Sequence, residues 1–260
     1  MTTLWDIDNG SGPLVGTAIH NGHALREDVS EHIVIGEDER LREEDPFTGP
    51  WTSAASTRIV ARFSRFQVDL NRPRVSAIYL TPNDAWGLDV WRGRPPADVI
   101  ARSLQEYDAF YDEMRRLLSG IAERNGHFLV LDLHTYNHRR EGPNGLPADP
   151  AANPEVNIGT GSMNTEKWRP LVRRFLDDLS SFDFLSRRLD VRENVKFRGG
   201  QFSRWIHETF PDTGCALAIE FKKFFMDEWT GELDTSQHQA IQRALQTTVP
   251  GLLETLEQIR

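Results

Sequence analysis

Two short apolar runs of the chain end on a histidine, Leu14–His20 (LVGTAIH) and His127–His134 (HFLVLDLH), and a third, Cys215–Phe221 (CALAIEF), carries Glu220 in otherwise apolar company. Imidazole and carboxylate are the donors of a hydrolytic zinc, which takes three protein ligands and leaves one position for a water whose pKa falls to about 7. His20 and His134 are the candidate nitrogen donors. The third ligand is open among His23, three residues after His20, and the carboxylates Glu44 and Asp45 of LREEDPFTG. Taken singly, each histidine reads first as a satisfied core residue or a surface cap; two of them ending separate strands point to a shared site. A glutamate inside an apolar strand must be paired or neutralised. Either Glu220 forms a salt bridge to Lys222, Lys223 or an arginine, or its raised pKa suits it to general base and acid work. Asp132, two residues before His134 and on the same side of an extended strand, is a candidate to hold the second ring nitrogen, the alternative being an arginine pair.

Binding residues follow from the same inspection. Asn71-Arg72, at the end of FSRFQVDLNRPR, presents a planar guanidinium at a proline-locked turn. An arginine fork matches a carboxylate bidentately, so the expected partner is a small acidic molecule. Gly199-Gly200, followed by Arg204, marks a turn where backbone approaches a ligand or simply reverses direction. Trp86 and Trp91 read as packing residues.

These groups need elements to hold them. The three apolar runs read as buried strands, with weaker strand candidates in Thr57–Asn71, Ala77–Leu80 and Val156–Gly159. Pro95-Pro96 opens the longest helical pattern, with apolar residues recurring at three and four until Asn125-Gly126 stops it. Further helices are expected over 164–179, 202–210 and 236–259, and the Asn-, Gly- and Pro-rich stretch 137–154 as an irregular segment, either functional or mobile. Alternating strands and helices predict a layered α/β domain, whose sites sit at the carboxyl ends of strands. That is where His20, His134 and Glu220 fall.

Composition narrows the function classes. The 260 residues carry 30 Lys+Arg against 39 Asp+Glu, a net charge of −9, which argues against nucleic acid as the main partner. The single cysteine, Cys215, excludes a disulfide framework and thiolate-rich metal sites. No apolar run approaches the ~20 residues of a membrane span and the N-terminus lacks a secretory pattern, so the expected location is the cytoplasm.

The blocks TAIHNGH, LREEDPFTG, SRFQVDLNRPR, NDAWGLDVW, LVLDLHTYNHR, FRGGQFSRW and LAIEFKK, in that order from about His20 to Lys222, resemble the N-formylglutamate amidohydrolase family. The resemblance implies a fold similar to zinc carboxypeptidases and aspartoacylase-type deacylases: a three-layer α/β sandwich of phosphorylase/hydrolase-like type, with a mixed eight-stranded sheet between helices, as one domain over residues 1–260. It implies one Zn2+ held by His20, His134 and Asp45, with Glu220 as general base. It also implies Asn71 and Arg72, helped by Arg204, on the carboxylate of N-formyl-L-glutamate, a substrate of histidine catabolism. The carboxypeptidase-like superfamily usually takes its carboxylate ligand from His-x-x-Glu, and here that position is His23, so His23 replaces it or the ligand comes from Glu44 or Asp45. Two other readings compete: a deacylase or carboxypeptidase acting on another N-acyl amino acid or peptide, and a noncatalytic binder of an acidic metabolite. A substrate panel separates the first, and ligand stabilisation without turnover identifies the second.

Overall fold

Mostly apolar runs, rich in small and branched aliphatic residues, pass through the middle of the protein as buried strands, as expected where a sheet is covered on both faces. The computed structural model describes residues 3–259. In chain order the strands are β1 (Trp5–Asp8), β2 (Leu14–Ala18), β3 (Thr57–Ala61), β4 (Phe128–Tyr136), β5 (Val156–Gly159), β6 (Val191–Glu193) and β7 (Gly214–Lys222). The helices are α1 (Glu27–Ser30), α2 (Glu37–Glu43), α3 (Thr48–Trp51), α4 (Ala97–Asn125), α5 (Thr165–Ser181), α6 (Gln201–Thr209) and α7 (Thr235–Gln258).

The strands form one mixed sheet in the order β1-β3-β2-β4-β7-β5-β6. The central neighbours β3, β2, β4 and β7 run parallel, whereas β1 pairs antiparallel with β3 and β5 antiparallel with β7. Strand periodicity divides the core. Leu129, Leu131 and Leu133 of β4, with Leu217 and Ile219 of β7, pack towards α5 and α7, and Val130 and Ala216 pack towards α4 and α6. Each such branched aliphatic contributes about 1.5–3 kcal/mol when it leaves water. The same alternation puts Asp132 and His134 of β4, and Glu220 of β7, on the α4/α6 side. The parallel register sets His134 beside Glu220.

Caps bound the helices where the residue types require. Asn164 accepts a bond from Lys167 N at the start of α5, Asp234 accepts from Ser236 N and Gln237 N at the start of α7, and Gly126, at φ +78°, ends α4. No helix among the described residues is long and apolar enough to cross a membrane.

Four expectations need correction. The sheet has seven strands among the described residues, not eight. Of Thr57–Asn71 only Thr57–Ala61 is a strand; beyond it the chain folds back, burying Phe66, Val68 and Leu70 in a loop. Ala77–Leu80 is likewise not a strand, because it follows a 3-10 turn at Arg74–Ser76 and Tyr79 is buried with its hydroxyl committed to Asp69. The edge strands β1 and β6, not anticipated, are three or four residues long and half exposed, too short for a periodicity to show. The stretch 137–154 contains no helix or strand, as expected.

Candidate active site

The carboxyl ends of β2, β4 and β7 converge on a cavity of about 220 Å³, and His20, Asp45, His134 and Glu220 all line it. His20 lies two residues past β2, where the chain turns with Asn21 N donating to Ala18 O. His134 is still within β4. Asp45 is brought in from a long excursion: its amide donates to His20 O, its carbonyl accepts from Thr48 Oγ1 at 2.7 Å, and Thr135 Oγ1 donates to its Oδ1 at 3.0 Å. The neighbouring Phe47 takes the left-handed region at φ 68°, a conformation costly for a bulky residue and one that turns the chain sharply after Pro46.

Both imidazoles present Nδ1 to one oxygen. Asp45 Oδ2 is 3.3 Å from His20 Nδ1 and 3.0 Å from His134 Nδ1. The opposite nitrogens face buried carboxylates: His20 Nε2 is 2.7 Å from Asp69 Oδ1, and His134 Nε2 is 3.1 Å from Asp132 Oδ2. Asp132 Oδ2 makes no hydrogen bond among the described residues and faces the His134 ring as an ion-pair partner, while Thr17 Oγ1 donates to its Oδ1 at 2.8 Å. A carboxylate behind each ring is the arrangement that fixes a metal-binding imidazole and raises its basicity. Asp69 is in turn held by Arg65 Nη2 at 2.8 Å, Asn71 N at 2.7 Å and the Tyr79 hydroxyl.

Charge explains why these groups tolerate burial. Burial opposes ionisation of Asp45, but hydrogen bonds from His134 and His20 outweigh it and hold the carboxyl far below the ordinary range. Burial of Asp69 is likewise outweighed, chiefly by the Arg65 guanidinium. Burial of His134 favours the neutral ring, but the Asp132 charge overrides it and raises the imidazolium pKa well above normal. Among the described residues Asp45 and Asp132 face histidines and no lysine or arginine within ion-pair distance, and a divalent cation between neutral imidazoles would supply the positive charge they lack. The donor set fits one: His20, Asp45 and His134 offer ligand atoms all within 4.8 Å of one another, and bonds of about 2.0 Å in tetrahedral geometry put ligand atoms roughly 3.3 Å apart. Among the described residues this is the one such convergence.

Glu220 lines the cavity without a side-chain hydrogen bond among the described residues, and burial pushes its carboxyl up to about 7. The alternative of a salt bridge to neighbouring lysines does not hold. Lys223 donates to the carbonyls of Arg42 and Glu44, at 2.5 and 2.8 Å, and Lys222 to Asn153 O at 3.0 Å.

Other sequence candidates are placed elsewhere. His23 stays outside the cluster: its Nδ1 is 2.5 Å from Glu44 Oε2 and Arg40 Nη2 is 3.3 Å from its Nε2. The reason is local, since Gly22 packs directly against the Arg62–Phe63 backbone and Ala24 bridges to Phe63, which carries residue 23 past the site. Glu44 is buried in that same pair. Asn71 lines the cavity, with Nδ2 3.3 Å from His134 Nε2 and Oδ1 accepting from Phe202 N. Arg72 does not line it; its guanidinium stacks 4.6 Å over the Tyr79 ring, 3.6 Å from Asp69. Arg204 is exposed on α6, away from the lining. Sequence reasoning missed Asp69, Arg65, Thr135, Arg140 and Arg198. Asp69 had one available signal, an acid two residues before Asn71 inside an apolar stretch. Trp86, read as packing, lines the cavity mouth in the left-handed region at φ 55°.

A model of the N-formylglutamate amidohydrolase family matches residues 12–226. The curated proteins contain no match to the sequence. Among solved structures, an N-formylglutamate amidohydrolase from Ralstonia eutropha is similar, with a TM-score of 0.77 and 16% identity over 98% of each chain. A gene product from Agrobacterium tumefaciens is similar with a TM-score of 0.65 and 16% identity, over 98% of this chain and 97% of the other. At these identities the likeness shows the fold.

Proposed function

The chain belongs to the N-formylglutamate amidohydrolase family, and we propose that it hydrolyses the formyl amide of N-formyl-L-glutamate, giving formate and glutamate. His20, His134 and Asp45 would hold the metal through Nδ1, Nδ1 and a carboxylate oxygen. Zinc, which this donor set suits, supplies Lewis acidity towards the formyl carbonyl and acidifies a water. Asp69, by a hydrogen bond to His20, and Asp132, by its charge behind His134, favour the ring orientations that present both Nδ1 atoms to the metal. Glu220 accepts a proton from the attacking water and delivers it to the departing amine nitrogen. Burial raises its pKa and a bound cation would draw it back down, so near neutrality the group would be ionised and ready to take a proton, then give it up. Asn71 and the cationic wall of the cavity orient the acidic end of the substrate, which places the scissile amide against Glu220.

The observation that supports this reading most strongly is the convergence of His20, Asp45 and His134 beside Glu220 in one cavity at the carboxyl ends of the adjacent parallel strands β2, β4 and β7, with Asp45 supplied by the loop after α2. Formate release from N-formyl-L-glutamate, measured beside N-acetyl-L-aspartate, tests it. Faster turnover of the acetyl compound would assign the chain to a different deacylase reaction.

A further inference from the structure

We propose that Arg198 binds a carboxylate of the substrate and sets the preference for an acidic amino acid; the inference rests on the reading above and deepens it. Four cationic side chains line the cavity: Arg65, Arg140, Arg198 and Lys223. Three are committed to the protein. Arg65 serves Asp69 and Tyr79, Arg140 forms a two-pronged pair with Glu43 at 3.0 Å for each bond, and Lys223 is spent on two backbone carbonyls. Arg198 is exposed, and among the described residues its guanidinium has no carboxylate within ion-pair distance and no hydrogen bond. With Asp45 assigned to the metal and Glu220 to the proton, Arg198 is the surplus positive charge on the wall.

Its backbone is fixed while its side chain is free. Arg198 O accepts from Gly161 N at 2.7 Å. A Cβ on Gly159 would come within 2.4 Å of Gly199 N, and one on Gly200 within 2.2 Å of Asn71 Oδ1, so segment 198–200 is wedged between the end of β5 and the Asn71 side chain. Only residues without a Cβ allow that approach. The wedge joins the Arg198 backbone to Asn71, itself in contact with His134, and so anchors the base of a free guanidinium fork on the same wall as the metal ligands. Such a fork discriminates a carboxylate from an amide, because the amide offers one acceptor and no charge.

The test is steady-state formate release by the metal-loaded protein from N-formyl-L-glutamate, N-formyl-L-glutamine and the α-amide of N-formyl-L-glutamate, for the wild type, Arg198→Gln and Arg198→Lys. In Arg198→Gln, kcat/KM for N-formyl-L-glutamate should fall roughly 10- to 100-fold, mostly through KM. Its preference for the diacid over one of the two amides should collapse towards one while the other preference stays, which identifies the carboxylate. Arg198→Lys should recover part of the loss. Equal losses on all three compounds, or an unchanged preference, would overturn the proposal. Calorimetric titration of L-glutamate into the wild type and Arg198→Gln separates this inference from the function it rests on. If the wild type releases no formate, the proposed reaction fails, yet weaker glutamate binding by the variant still supports Arg198; equal binding refutes it.

Discussion

Replacing Glu220 by glutamine should damage turnover and strengthen the fold, with a pH dependence that identifies the cause. In the metal-free protein burial raises this carboxyl from its ordinary 4.5 to about 7. Between those values the native state keeps a proton that the unfolded chain has released, so native stability falls as pH rises through that window and the loss is complete above about 7. The distance between the two values corresponds to about 3 kcal/mol. Glutamine has nearly the same shape and cannot ionise, so the Glu220→Gln protein escapes the loss. Stripped of metal, it should melt at nearly the wild-type temperature at pH 4.5 and roughly 6–12 °C higher at pH 8, at about 2–4 °C per kcal/mol for a chain of this size. Its kcat, measured with metal restored, should fall about 10²- to 10⁴-fold, the usual contribution of a positioned base. Differential scanning calorimetry across pH and a formate assay read the two effects. A melting difference that does not grow with pH, or a variant that turns over normally, would refute the reasoning.

Three further outcomes follow from the same geometry. Asp132→Asn keeps the acceptor for Thr17 but removes the charge behind His134, and should weaken metal binding about 10- to 100-fold in competition with a chelator; unchanged affinity would exclude Asp132 from holding that ring. Because the base must be ionised, kcat/KM should rise with pH along a single acidic limb. That limb should lie below 7, since a bound cation pulls the Glu220 carboxyl down from its metal-free value; a limb above 7 would contradict the assignment. Gly200→Ala puts a methyl into the Asn71 side chain and should cost about 1–3 kcal/mol in denaturant unfolding, with a raised KM; a neutral result would mean the wedge is slack.

The parts of the site that the sequence made legible lie on regular elements. His134 and Glu220 could be placed because unbroken apolar runs announce β4 and β7, and strand periodicity linked Asp132 to His134. His20 followed from the same logic, one turn beyond β2. Asp45 was reachable as one of three alternatives, but its preference over His23 depends on the path of residues 21–24, which is set by the packing of Gly22 on the Arg62–Phe63 backbone and leaves no local pattern. Asp69 and Arg65 belong to a loop that buries its apolar residues without a periodicity, so a strand was expected there and the carboxylate behind His20 was missed. The arginines were the least legible. Arg72 and Arg198 are both exposed-looking cations in turns, and only three-dimensional pairing shows that Arg72 rests on Tyr79 and Asp69 while Arg198 faces the cavity unpaired.

The central claim is that a metal held by His20, Asp45 and His134 serves a deformylase, and the most direct measurement is formate and glutamate release from N-formyl-L-glutamate by the purified protein before chelation, after chelation and after adding back Zn2+. The account predicts equimolar formate and glutamate, loss of release on chelation and recovery on adding the metal back. Release that survives complete removal of metal, or no release from the metal-loaded protein, would contradict it.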